Sequence, residues 1–172
     1  MSAGHLAGLD NASVPDAPLS IRPAVDADRL PLARIFAAVV EEDAGLGTEP
    51  PVDIDARAAS WTLDGTLVAV VGSEIVGSLH REASRHGYGE LGMALRREWR
   101  GKGIGSALLS AAIEDARRRG LHKLSLSVFA HNEPAIALYR KFGFVQEGRR
   151  VKHYRRASGE LWDTIDMGLL LL

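Results

Sequence analysis

The chain has 172 residues, of which 46% are hydrophobic and 25% charged, and its formal net charge is −1. Length and composition are those of one globular domain with a sizeable core, and the near-neutral charge argues against general attraction to nucleic acid or to membrane surfaces. Because the chain has no cysteine, disulfides, a cysteine nucleophile and a cysteine-based zinc site are excluded, and a cytoplasmic location is expected.

Residues 1–18 are rich in alanine, glycine, serine and proline, and we expect a flexible tail there rather than a signal peptide. Residues 19–172 are expected to form a single domain. In its first half, the sequence pattern predicts a strand at Leu19–Pro23, a helix capped by Asp28, a loop at Glu41–Pro51, a short helix at Asp53–Thr62, and a hairpin of Leu67–Val71 and Ile75–Arg81.

The second half of the domain alternates strands and helices. The pattern predicts a strand at Tyr88–Leu95, a long helix at Gly103–Arg119, a strand at Leu124–Phe129, a helix that starts at Asn132 or Glu133 and ends before Gly143, and closing strands at Phe144–Arg149 and Leu161–Leu170. The order βα(α)βββαβαββ indicates an α/β domain with a mixed sheet.

The strand at Tyr88–Leu95 and the long helix are joined by Arg-Gly-Lys-Gly-Ile-Gly, residues 100–105. Alternating glycines leave consecutive backbone N–H groups uncovered, and these lead into a helix N-terminus, where the helix dipole is positive. The segment predicts a cradle for a phosphate or pyrophosphate, with Arg100 and Lys102 adding charge. Its spacing matches neither a Walker A loop nor the Gly-x-Gly-x-x-Gly dinucleotide fingerprint.

The spacing that is present, Arg-x-x-Gly-x-Gly at Arg100, Gly103 and Gly105, resembles the acetyl-CoA-binding signature of the GNAT superfamily of N-acetyltransferases. A second block, Asn-x-x-Ala-x-x-Leu-Tyr-x-x-x-Gly-Phe from Asn132 to Phe144, is similar to the other signature of that superfamily. The resemblance covers nearly the whole chain. It implies a GNAT fold with a central mixed, mostly antiparallel sheet, flanking helices, and a splay between the fourth and fifth strands.

The resemblance also implies the cofactor and its site. Acetyl-CoA is expected as co-substrate, with its pyrophosphate on the glycine cradle and its pantetheine arm along the backbone of the fourth strand, which carries a bulge in this superfamily. The expected cofactor-binding residues are Met93, Ala94, Leu95, Arg100, Gly101, Lys102, Gly103, Ile104, Gly105, Ser106, Asn132, Ala135 and Tyr139. No metal is expected, since the histidines show no metal-ligand spacing.

Two residues are predicted to be catalytic. By resemblance, the Tyr139 phenol donates a proton to the departing CoA thiolate, although it could also be an ordinary buried aromatic. Glu90 is the leading candidate for the general base, although an exposed strand carboxylate would look the same in the sequence. Other candidate bases, by side-chain chemistry alone, are His80, His131 and His153.

The expected reaction is direct transfer of an acetyl group to a primary amine in a ternary complex. The C-terminal run from Gly159 to Leu169 resembles the ending of a GNAT branch that includes phosphinothricin-type and amino-acid N-acyltransferases. An amino acid or analogue is therefore the expected acceptor, with Trp162 and Asp163 either lining its site or simply leading into a strand. A non-catalytic acyl-CoA-binding module and a protein N-terminal acetyltransferase remain alternatives. Acidic residues at 41–43 and 49 would suit a cationic amine or simply be solvated, and a homodimer is possible.

Overall fold

A computed structural model describes residues 17–42 and 45–172, so most of the predicted tail, residues 1–16, lies outside the described residues. The strands are β1 (Leu19–Pro23), β2 (Thr66–Val71), β3 (Glu74–Ala83), β4 (Tyr88–Leu95), β5 (Lys123–Phe129), β6 (Val145–Arg155) and β7 (Leu161–Leu170). The helices are α1 (Arg29–Glu41), α2 (Ile54–Ala59), α3 (Ile104–Arg118) and α4 (Glu133–Lys141). The predicted element order is therefore confirmed.

All seven strands form one sheet in the order β1-β2-β3-β4-β5-β7-β6. Neighbouring strands are antiparallel except β4 and β5, which run parallel and pair only through Tyr88, Gly89 and Glu90 at the start of β4. Beyond Glu90 the two strands diverge. The mixed, mostly antiparallel sheet and the splay between the fourth and fifth strands are thus confirmed.

The hydrophobic core has two parts, one on each face of the sheet. The larger part lies under α3 and α4 and includes Leu108, Leu124 and Met167, all fully buried. The smaller part lies under α1 and includes Leu32 and Val68. Side chains of successive strand residues point to opposite faces, so each central strand contributes to both parts.

The strand β4 and the strand β6 both differ from expectation. The register between β3 and β4 is continuous from Gly89 to Leu95, so the bulge expected in the fourth strand is not present in this pairing. The divergence of β5 from β4 leaves that edge open without a bulge. The strand predicted at Phe144–Arg149 extends in the structure from Val145 to Arg155. The prediction ended too early because the second half of β6 is exposed on both faces and therefore lacks apolar alternation in the sequence.

The helices begin with different caps. Asn132 and Asp53 cap α4 and α2 through side-chain oxygens that accept backbone N–H groups. Asp28 stands at the N-cap position of α1, as predicted, but its side chain does not cap that helix, because its carboxylate accepts the Val25 N–H at 2.8 Å and pairs with Arg22 at 2.6 Å. None of the helices described here is both long and apolar enough to span a bilayer.

Candidate active site

A cleft of about 560 Å³ opens where β4 and β5 diverge. It is lined by the glycine cradle, the backbone of β4, the start of α4 and the end of α1. Most of the predicted cofactor-binding residues line it, namely Met93, Ala94, Leu95, Arg100, Gly101, Gly103, Gly105, Ser106, Asn132, Ala135 and Tyr139. Lys102, Ile104 and Glu90 lie outside this lining. The fold therefore brings segments that are far apart in the sequence to one cleft.

The glycine cradle has backbone N–H groups to offer. Gly101 and Gly103 have φ values of +70° and +80°, which favour glycine. Among the described residues, the first backbone N–H after Arg100 that donates to a backbone carbonyl is that of Ala107, to Gly103 at 3.0 Å. The N–H groups from Gly101 to Ser106 remain for a ligand at the positive end of α3, which fits a pyrophosphate.

Gly105 is needed for packing rather than for an unusual backbone angle. A Cβ at this position would lie 3.2 Å from Leu138 Cδ2 and 3.6 Å from both Leu95 and Met93. The absence of a side chain lets the first turn of α3 approach α4 and β4. Its neighbour Ile104 is buried in the larger core part, which anchors the same turn.

The two cationic side chains of the cradle already have partners. The Arg100 guanidinium donates to both carboxylate oxygens of Glu42, at 2.6 and 3.0 Å, and to the Leu95 carbonyl at 2.8 Å. Lys102 lies over the Trp99 ring, 5.0 Å from its centroid. Arg100 thus connects the cradle to the end of α1. The Glu42 carboxylate neutralises part of the positive charge that the sequence analysis assigned to phosphate binding.

Met93 and Leu95 are partly buried, and their side chains pack against the larger core part. The backbone of these residues lies at the β4 edge that β5 leaves unpaired, because β4 and β5 share only three residue pairs. Donors and acceptors on this edge can hold an extended amide-containing chain by strand-like hydrogen bonds.

Tyr139 and Asn132 face the cleft from α4. Tyr139 is buried, and this burial raises the pKa of its phenol to about 12. Its hydroxyl therefore keeps its proton at neutral pH and can donate it. The Asn132 side-chain oxygen accepts the Ala135 N–H at 3.3 Å, which caps α4 and fixes the amide at the cleft wall.

Four aromatic rings form a packed group beside the cleft. The Phe129 ring stacks on His131 at 5.5 Å and meets Tyr154 and Trp162 edge-on at 5.3 and 5.0 Å. The His131 and Trp162 centroids are 4.6 Å apart, and His131 itself lines the cleft. This aromatic group joins β5 to the β6–β7 hairpin. The sequence left open whether Trp162 lines the acceptor site or only leads into a strand, and in the structure it lies outside the cleft lining and packs against His131, which is in it.

Residues 45–49, here called the strap, cross from α1 towards α2 and supply Gly45 and Leu46 to the cleft wall. The strap is fastened to the β6–β7 hairpin. Arg156 is buried, donates to the Gly47 carbonyl at 3.2 Å, and pairs with Glu49 at 3.4 Å. The Ala157 N–H donates to Glu49 at 2.7 Å. Sequence reasoning missed this contact, because its partners are more than 100 residues apart and match no motif.

The candidate bases are placed differently. Glu90 is exposed, lies opposite Glu82 on β3, and shares a strand face with Gly92 and Ala94, which line the cleft. His131 lines the cleft directly. His80 lies 2.9 Å from Thr66 Oγ1, and burial lowers the pKa of its imidazole. His153 is on the exposed β6 strand.

Asp163 does not line the cleft. Its carboxylate accepts the Lys152 N–H at 2.6 Å and two N–H groups of Arg149 at 2.6 and 2.8 Å. These hydrogen bonds, first that of the Lys152 backbone and then those of Arg149, lower the pKa of the carboxyl. Within residues 17–42 and 45–172, no cluster of three or more histidine, aspartate or glutamate side chains could hold a metal ion.

A model of the acetyltransferase (GNAT) family matches residues 34–144. The chain is 34% identical over 107 residues to the L-amino acid N-acetyltransferase AaaT of Escherichia coli, an alignment that covers 59% of this chain and 65% of that protein, slightly less than two thirds of its length. It is 31% identical over 141 residues to the L-methionine sulfoximine/L-methionine sulfone acetyltransferase of Pseudomonas aeruginosa, with 76% of this chain and 82% of that protein covered.

Among solved structures, the phosphinothricin acetyltransferase from Sinorhizobium meliloti in complex with acetyl-CoA superimposes with a TM-score of 0.78, at 25% identity and with 88% of each chain covered. The resemblance to phosphinothricin and amino-acid N-acetyltransferases is therefore confirmed. With a family model that matches more than half of its length, on a fold and a cleft of the expected kind, this chain belongs to the acetyltransferase (GNAT) family.

Proposed function

We propose that this protein transfers an acetyl group from acetyl-CoA to the primary amine of an amino acid or of an amino-acid analogue. The observation that carries the proposal is the single cleft, which holds uncovered N–H groups at one end, an unpaired strand edge along its length, and the Tyr139 phenol at its side. Acetyl-CoA would supply the acetyl thioester, with its phosphates held at Gly101–Ser106 and its arm held along Met93–Leu95 and beside Asn132.

Tyr139 is the proposed acid. Full proton transfer from a phenol of pKa about 12 to a thiolate, whose thiol has an ordinary pKa near ~8.5, is unfavourable by about 5 kcal/mol in the ground state. Hydrogen bonding to the sulfur as its charge develops carries no such cost, and the same burial that raises the phenol pKa also disfavours a bare thiolate. Tyr139 therefore stabilises the leaving group chiefly by donating a hydrogen bond.

The proposed base is His131 or Glu90. His131 lines the cleft, and imidazole is the side chain used most often for proton transfer in enzymes. Glu90 lies outside the cleft lining, on the strand face of Gly92, so its action requires an intervening water. Neither the absence of cysteine nor the cleft geometry favours a covalent acyl-enzyme, and direct attack by the amine is the proposed route.

A small acceptor is favoured over a protein N-terminus by the strap. Arg156 and Ala157 hold its far end against the hairpin, so the acceptor end of the cleft is bounded on both sides. Named relatives that act on L-amino acids and on methionine sulfoximine agree with this choice. A possible homodimer and a cytoplasmic location stay predictions.

The proposal is tested by following CoA release from acetyl-CoA with a thiol reagent, to which this cysteine-free chain adds no background. The amine panel contains the amino acids, methionine sulfoximine, phosphinothricin, polyamines, an aminoglycoside and N-terminal peptides. We expect stimulation above the no-amine rate by amino acids or their analogues. Stimulation by peptides alone would replace the proposal with a protein N-terminal acetyltransferase. A flat panel with tight acetyl-CoA binding would favour a non-catalytic binding module.

A further inference from the structure

The strand β6 contains a large bulge. Arg150 pairs with Thr164 and Tyr154 pairs with Trp162, so the three residues Val151, Lys152 and His153 lie opposite Asp163 alone. These three residues are here called the β6 bulge. Lys152 has a φ of +52°, the one positive value among the described non-glycine residues. A lysine in this backbone region costs free energy, so the surrounding structure must hold it there.

The group that holds the bulge is the Asp163 carboxylate. One oxygen accepts the Lys152 N–H at 2.6 Å and the other accepts two N–H groups of Arg149. The carboxylate thereby replaces the ladder hydrogen bond that the bulge interrupts. Along β7, the side chain of Asp163 points to the opposite sheet face from those of Trp162 and Thr164. It shares its face with Ile165 and Met167, which are buried in the larger core part. It is therefore directed away from the face of Phe129 and Trp162.

The bulge decides which β6 residue meets the aromatic group. If β6 continued from the Arg150–Thr164 pair without extra residues, Lys152 would lie opposite Trp162. With the bulge, Tyr154 takes that position and contacts Phe129. Tyr154 also packs on the strap, since its ring lies 3.3 Å from where a Cβ of Gly47 would stand. The same displacement brings Arg156 to the strap carbonyls and to Glu49.

We propose that Asp163 is a positioning residue for the acceptor site, which it shapes without touching the acceptor. By holding the β6 bulge, it places Tyr154 and Arg156, and these fasten the strap that forms the wall of the cleft at Gly45 and Leu46. The inference rests on the proposed function, because it assigns the acceptor to that end of the cleft. None of the hydrogen-bond partners of Asp163 belongs to the cradle, so loss of its carboxylate is expected to weaken acetyl-CoA binding much less than acceptor binding.

The test compares Asp163→Ala with Asp163→Asn. The asparagine oxygen can still accept the Lys152 N–H, whereas alanine cannot. With methionine sulfoximine as the acceptor, we expect Asp163→Ala to raise its KM about ten-fold or more and Asp163→Asn to change it by less than about three-fold. Acetyl-CoA affinity, measured by calorimetry, is expected to stay within about two-fold in both. Arg149→Met, which keeps the backbone hydrogen bond, is the matched control and is expected to behave like Asp163→Asn.

A readout that needs no turnover follows the Lys152 amide by hydrogen exchange. Its exchange is expected to accelerate in Asp163→Ala and to remain slow in Asp163→Asn, whatever the acceptor proves to be. Adding Lys152→Gly to Asp163→Ala is expected to recover most of the acceptor KM, because glycine favours the positive φ. An equal rise in the acceptor KM in Asp163→Asn and Asp163→Ala would overturn the inference, and would indicate that the Asp163 charge contacts the substrate directly. Unchanged amide exchange in Asp163→Ala would overturn it outright, and a protein inactive with every amine but with the expected exchange pattern would refute only the proposed function.

Discussion

The two ends of the cleft are built in different ways. The cradle end consists of residues 100–106, close together in the sequence, and it offers backbone N–H groups whose direction is set by glycine angles and a helix start. The proposed acceptor end consists of a strap at residues 45–49 held by the Tyr154 and Arg156 side chains and by the Ala157 N–H. The difference teaches that a site made of backbone is encoded locally, whereas a site made of side-chain contacts depends on the whole fold.

Gly103→Val is expected to have the largest effect, and to affect the cradle end alone. A β-branched residue at a φ of +80° raises the free energy of that backbone conformation by about 2 kcal/mol. The segment relieves this strain by changing its backbone angles, and the cradle N–H groups then no longer point at the phosphates. We expect acetyl-CoA to bind about 30-fold more weakly in calorimetry, with the acceptor KM at saturating acetyl-CoA nearly unchanged.

The matched control is Gly120→Val at the other end of α3. Gly120 has a φ of +72°, and a Cβ at either glycine would meet no atom within 4 Å, so the two substitutions impose similar backbone strain. Gly120→Val is expected to lower thermal stability while leaving acetyl-CoA affinity unchanged. If both variants lost affinity to the same extent, general destabilisation of α3, and not the cradle, would explain the result.

Tyr139→Phe is expected to have the next largest effect, at the middle of the cleft. It removes the hydroxyl but keeps the ring that packs near Phe144 at 5.7 Å. Turnover should fall about ten-fold or more, with acetyl-CoA affinity changed by no more than a few-fold. Because the phenol pKa is about 12, the ratio of wild-type to variant turnover should stay constant from pH 7 to pH 10.

A tyrosine of ordinary pKa would behave differently. At pH 10 about half of it would be ionised, and the ratio would fall accordingly. Steady-state kinetics at four pH values therefore separate a buried, fully protonated donor from an accessible one. Unchanged turnover in Tyr139→Phe would remove the phenol from the mechanism altogether.

His131→Phe and Glu90→Gln separate the two proposed bases and are expected to have intermediate effects. Phenylalanine keeps an aromatic ring against Phe129 and Trp162 while removing the two ring nitrogens. If His131 takes the proton, turnover should fall about ten-fold near neutral pH and recover as the pH rises and the amine loses its proton unaided. Glu90→Gln should then leave the pH profile of kcat unaltered, and the opposite pattern would assign the base to Glu90.

The same contrast between the two ends explains what could be predicted from the sequence. The cradle, the start of α4, and the bounds of β1, β4 and β7 follow from glycine spacing, capping residues and apolar alternation within short windows. The contacts of Arg100 could not be predicted, because its charge suggests phosphate, while its partner Glu42 is brought near only by the packing of α1.

The β6 strand could not be predicted beyond Arg149 for a related reason. It is an edge strand of the sheet and is exposed on both faces, so its sequence shows no apolar alternation. Its bulge depends on a carboxylate of the following strand, which no local pattern of β6 contains. Similarly, aspartate is a residue type that often caps helices, but the Asp28 carboxylate accepts a hydrogen bond from Arg22 on β1 and does not cap α1.

The smallest expected effect is that of Asp28→Asn, which lies outside both ends of the cleft. The Arg22 guanidinium and the Val25 N–H hold the pKa of the Asp28 carboxyl below its usual range. Such a group stabilises the folded state at pH values above its unfolded pKa near ~3.9, and the contribution is lost as the pH falls through the lower folded value. Arg22 is 41% exposed, so the ion pair contributes only about 0.5–1 kcal/mol.

Thermal unfolding at pH 7, 5 and 3 measures this contribution. We expect Asp28→Asn to lower the melting temperature by about 2–4 °C at pH 7, and the difference to shrink towards pH 3. Asp26→Asn is the matched control, since Asp26 pairs with Arg29 but is 87% exposed, and it should change stability very little. Because Asp28 supports the entry to α1 and touches neither the cradle nor the strap, both acetyl-CoA affinity and acceptor KM should be unaltered at 25 °C. A difference that persisted undiminished at pH 3 would mean that packing around the side chain, and not its charge, stabilises this part of the fold.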